Sequence, residues 1–157
     1  MDRSGRKNQE LKSALRSVIG VLDDSQKGMA EIGERLKDPE LRRYFLTESL
    51  RRANFRGELE NVLHRRGVAD VHESGTAAAA LSRAWTRLES ALGAGDEAML
   101  DTVEQAEGEA RDAYHTVLAE DLPLPIRQLL TAQQTHILTA GDFVRAQREA
   151  ERVEKAA

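Results

Sequence analysis

A chain of 157 residues is long enough for one domain with a sizeable core, and its 32% charged residues, 4% aromatics and three prolines are the composition of a helix bundle rather than of a sheet protein. The 27 acidic and 23 basic residues are interspersed, so the net charge of −4 forms no basic stripe, and neither nucleic acid nor a membrane is expected as a partner. Without cysteine there can be no disulfide, thiolate metal site or cysteine nucleophile. The polar start from Met1 to Lys12 has no signal-peptide core and no apolar run nears ~18 residues, which sets the expectation of a cytoplasmic protein.

The spacing predicts a first helix from about Asn8 to Leu36. Leu11, Leu15, Val18, Leu22, Met29, Ile32 and Leu36 recur at three- and four-residue steps, with Ser25 at the missing step. Asp38 is a good N-cap and Pro39 is favoured at the first helical position, so Lys37 to Pro39 reads as a tight turn between antiparallel helices. The second helix is expected from Pro39 to about Arg66, with Leu41, Phe45, Phe55, Leu59 and Val62 on its seam and Gly67 just past its end. Glu48 and Arg52 fall in the gap of that seam. Val68 to Gly75 is polar and extended-looking. A shorter helix follows from about Thr76 to Leu92, with Leu81, Trp85, Leu88 and Leu92 on its apolar face.

The segment from Gly67 to Gly95 can traverse a bundle about 40 Å long, at ~1.5 Å per helical and ~3.3 Å per extended residue. The second and third long helices are therefore expected to run parallel, linked by the single long crossover of ferritin-like bundles. Asp96 is expected to cap the third helix, whose seam is Leu100, Val103, Glu107, Ala110, Tyr114 and Val117. After a turn from Asp121 to Pro125, the last helix carries Ile126, Leu130, Gln133, Ile137, Ala140 and Val144. The expected fold is an all-α four-helix bundle over residues 1–157, with polar tails at 1–7 and 148–157.

Ser25, Glu48, Arg52, Glu107 and Gln133 stand at about one height where an apolar seam calls for Leu or Ile. The interior of such a bundle is where metals and cofactors are held. An iron or manganese pair there wants about four Glu and two His, with Glu-x-x-His on each of two helices, and the chain has no Glu-x-x-His. His64, His72, His115 and His136 read as exposed or half-buried, and none occupies a seam centre. Glu34 points away from the stripe, on the solvated side shared by Asp24, Lys27 and Glu31. Glu107 and then Glu48 are the weak metal candidates, but the fixed charge of Arg52 competes with a divalent cation and pairs well with carboxylates.

The expected layer is thus a salt-bridge network, with Gln133 and Ser25 supplying the remaining donors and acceptors, no catalytic residue and no cofactor. The alternative is an iron-handling or di-iron carboxylate protein with an incomplete site. No nucleophile adjoins an evident base, and Gly93-Ala94-Gly95 follows no strand, so it reads as a helix break rather than a phosphate loop. Trp85 reads as core packing, with Arg83 and Arg87 on its wet side. A homo-oligomer is compatible with the pattern, because amphipathicity alone does not separate a monomer from a bundle that buries a second face.

The turn Lys37-Asp38-Pro39-Glu40-Leu41, Arg52, Glu58-Leu59, Glu73-Ser74-Gly75, Arg83 with Trp85, Leu88 and Ser90-Ala91-Leu92, Glu104 with Glu107, Tyr114 and Leu122-Pro123 form a pattern. From roughly Leu11 to Arg148 it resembles an uncharacterised bacterial family of ferritin-like four-helix-bundle proteins. The resemblance implies a ferritin-like fold with no established activity and a loose link to stress responses. Family members often carry His near the positions of Ser82 and Gly141 and commonly Tyr at Met29, which weighs against a function resting on those groups here.

Overall fold

The long helices of the described residues form two hairpins: α1 (Arg3–Arg35) with α2 (Pro39–Arg65), and α3 (Asp96–Leu118) with α4 (Leu124–Ala156). The computed structural model describes residues 3–71, 83, 85–87, 91 and 94–156, and no strand occurs among them. The first hairpin turns where the sequence predicts. Asp38 is extended (φ −69°, ψ 118°) and its carboxylate accepts from the Glu40 N–H at 2.9 Å and the Leu41 N–H at 3.4 Å, relieving the unpaired amides of the α2 N-terminus. At the other end Gly67 takes φ +83°, a conformation costly for any residue with a Cβ. That lets the Val68 N–H reach the Leu63 carbonyl and the Gly67 N–H reach that of His64, both at 3.0 Å.

Contacts at the ends of the bundle fix the helix directions. The Lys37 N–H donates to Asp96 Oδ1 at 3.2 Å, joining the α1–α2 turn to the start of α3, and Lys155 near the end of α4 pairs with Glu97 at 3.5 Å. At the opposite end Lys7 pairs with Asp121 at 3.4 Å. Helix α1 is therefore antiparallel to both α2 and α3, and α2 and α3 run parallel. The chain between them must travel the length of the bundle, as its length predicts. Arg83, Trp85, Thr86 and Ala91 are helical and Arg87 is in a turn; the other residues of the helix expected over 76–92 lie outside the described residues.

Three expectations are corrected. Residues 3–7 and 148–156 are not polar tails but the outer turns of α1 and α4. At the α4 end Arg148 pairs with Glu104 of α3 at 2.5 Å, and Arg152 pairs with Glu149 three residues before it on the same helix. Asp96 is the first residue of α3 rather than its cap. Gly95, at φ +101°, occupies the cap position with no side chain to offer, which leaves the Asp96 carboxylate free to hold Lys37.

The apolar interior among the described residues divides in two. One cluster joins the first half of α1 (Leu11 to Leu22) to Leu59, Leu63, Tyr114, Leu130 and Ile137; the other joins Met29, Ile32 and Leu36 to Phe45, Leu100 and Val144. Trp85 packs against both. Its ring lies so close to α1 that a Cβ added at Gly28 would come within 2.4 Å of the ring carbons.

Candidate functional site

Between the two clusters lies the polar layer, and Arg52 is its centre. Helix α2 directs this side chain across the bundle to α3, where the guanidinium grips Glu107 with both prongs: Nη1 donates to Oε1 at 2.8 Å and Nη2 to Oε2 at 2.7 Å. Its Nε donates to Glu48 Oε1 at 3.0 Å, one turn back on the same helix. Arg52 is fully buried, with Glu48 and Glu107 each at 3% exposure, so the three charges share a space closed to bulk water. Burial alone would favour loss of the guanidinium proton. Glu107 and then Glu48 outweigh that, and Arg52 is held above its ordinary range as a fixed cation.

The remaining layer residues bring in α4 and a second side chain of α3. His136, half-buried on α4, lies with its Nε2 2.7 Å from Glu48 Oε1, and its ring meets Phe55 edge-on at 5.4 Å. The Tyr114 hydroxyl donates to Gln133 Oε1 at 2.7 Å, and Gln133 Nε2 donates to the Phe55 carbonyl at 3.2 Å and to Glu58 at 3.4 Å. Burial pushes the Tyr114 hydroxyl well above its ordinary range, so it remains a neutral donor. Tyr44 is likewise raised, by burial first and then by the charges of Glu48 and Glu107.

Of the residues expected in the layer, Glu48, Arg52 and Glu107 are brought together, while Gln133 belongs to an adjoining group with Tyr114. Ser25 is buried but makes no hydrogen bond among the described residues, so it is not the donor or acceptor expected of it. His136 and Tyr114 were not foreseen as members. Tyr114 reads as one more apolar seam residue, and His136 stands three residues beyond Gln133, on the neighbouring stripe of the same helix face. His64 and His115 are exposed, and His72 lies outside the described residues.

As a metal site the donor set does not fit. Glu48 and Glu107 spend oxygens on a permanent cation already seated between them, and among the described residues no cluster of three or more His, Cys, Asp or Glu is arranged to hold an ion. The layer carries one guanidinium against two carboxylates, with an imidazole at its edge.

A family model described as Domain of unknown function (DUF2383) matches residues 10–120. The chain belongs to the DUF2383 family. The match covers α1 from its second turn, α2, the segment that returns the chain, and α3. Arg52, Glu48 and Glu107 thus fall within the DUF2383 region, whereas α4, with Gln133 and His136, lies beyond it. No curated protein gives a significant match to the chain. Among the described residues no helix is long and apolar enough to cross a membrane.

Proposed function

We propose that this protein is a ferritin-like bundle of bacterial type, with a short helix in its crossover, that works without catalysis in the cytoplasm. In this reading the space that metal-holding bundles give to their ions is filled by a salt bridge, and the protein's role, in a stress response, is carried by its outside. The observation that supports the reading best is the two-pronged grip of Arg52 on Glu107: a guanidinium in that position already neutralises the charge a metal would need. The test is metal content by elemental analysis of protein purified without a histidine tag. The expected result is far less than one equivalent of iron or manganese per chain. About two ions per chain, lost on substitution of Glu48 or Glu107, would overturn it.

The second reading, an iron- or manganese-handling protein with an incomplete carboxylate site, has one observation in its favour. His136 stands beside Glu48 and adds a nitrogen to two buried carboxylates. In that case His136→Ala lowers the metal content together with Glu48→Gln. In the first reading neither variant changes it.

A further inference from the structure

The face of α2 opposite its buried stripe is exposed, and its two halves differ in bulk. Leu50 is 68% and Leu46 41% exposed. Two turns beyond Leu50 stands Gly57, where an added Cβ would meet nothing within 4 Å. Glycine is a poor residue for a helix interior, and no neighbour among the described residues requires it here. Thr47, Leu50, Asn54, Gly57 and Asn61 recur at alternating three- and four-residue steps, the spacing of a helix-pairing stripe. They border an open depression of about 740 Å³ lined, among the described residues, by α2 alone. Along one edge of this stripe lie Arg51 and Glu58. Both are exposed; Arg51 forms no ion pair among the described residues, and Glu58 keeps only its 3.4 Å contact with Gln133.

We propose that this face docks a second copy of the chain, α2 against α2, antiparallel about a two-fold axis passing near Asn54. A two-fold interface sets a surface against itself, so the surface must be self-complementary, and in the antiparallel sense this one is. Leu50 of each copy fills the notch over Gly57 of the other. Arg51 and Glu58 share one edge, and antiparallel helices bring like edges together, so each Arg51 meets the other copy's Glu58. A parallel pairing would stack Leu50 on Leu50, leave the notch over Gly57 empty and set the Arg51 and Glu58 edge against the other copy's opposite edge, so that Arg51 and Glu58 would not meet. The proposal concerns the opposite side of α2 from the polar layer and stands whether or not that layer takes a metal.

Sedimentation equilibrium decides it. The wild-type chain is expected to dimerise in the micromolar range, and Leu50→Asp to be monomeric. Arg51→Glu and Glu58→Arg should each weaken the dimer by about tenfold or more, whereas the two together should restore it to within a few-fold of wild type. Because the chain has no cysteine, Asn54→Cys gives a single thiol near the axis, and mild oxidation should convert it to a covalent dimer while Glu34→Cys stays monomeric. Should Leu50→Asp not fold, the charge swap and the Asn54→Cys cross-link carry the test. A wild type that remains monomeric at 0.2 mM would overturn the proposal. So would a dimer indifferent to Leu50→Asp and to both single charge reversals.

Discussion

Arg52 is the residue on which the interior turns. Removing one partner of a buried ion pair strands the other, so Arg52→Ala should cost ~3–5 kcal/mol in urea denaturation. Replacing Arg52, Glu48 and Glu107 together by fitted apolar residues should be neutral or stabilising, because no buried charge is then left unpaired. An Arg52→Ala variant within ~0.5 kcal/mol of wild type would mean that the grip on Glu107 contributes little. This much was legible in the sequence, since a charged residue at a seam position announces itself. His136 was not, because its contact with Glu48 depends on how α4 is rotated toward α2, and spacing within one helix carries no information about that. Asp24, read as part of a solvated face, is half-buried, and burial and then the neighbouring Asp23 raise its pKa above the ordinary 3.8. A carboxyl raised on folding favours the fold below its unfolded pKa, and that contribution is lost as pH rises through the folded value. Asp24→Asn should therefore melt above the wild type at about pH 7, with the gap closing toward about pH 3.5. A gap of the same size at both ends would show that ionisation is not the cause.

At the scale of helices, the signals that proved sound were those with a stated geometry: Asp38 and Pro39 at the start of α2, and Gly67 at its end. Asp96 misled because an acidic residue at the first helical position and one at the cap look alike in sequence, and only the left-handed Gly95 separates them. The outer turns of α1 and α4 were missed because they bury no residue and so carry no apolar stripe. The returning segment contributes a contact that periodicity could not place, the seat of Trp85 on Gly28. Gly28→Ala puts a methyl into the indole ring, so the ring must shift or α1 must yield. The expected cost is ~1–3 kcal/mol. Because Trp85 is the only tryptophan, its fluorescence emission should move to the red, and unchanged emission would place the ring elsewhere.

Across the whole molecule, the two hairpins are each held by contacts between chain neighbours, whereas the charges that join them come from residues far apart in sequence, Arg52 with Glu107 and Glu48 with His136. The apolar stripes above and below would tolerate sliding, since one leucine can replace another against a facing groove. The two-pronged bond cannot slide. Moving α2 by one turn, ~5.4 Å, would carry the guanidinium beyond reach of Glu107, leaving Glu107 buried without its partner and Arg52 with Glu48 alone. The layer therefore works as a vernier that admits one alignment of the hairpins among several of similar apolar burial. Each hairpin joins chain neighbours, whereas docking one hairpin on the other strips water from Arg52 and Glu107 together, a desolvation offset only when the two-pronged bond is made.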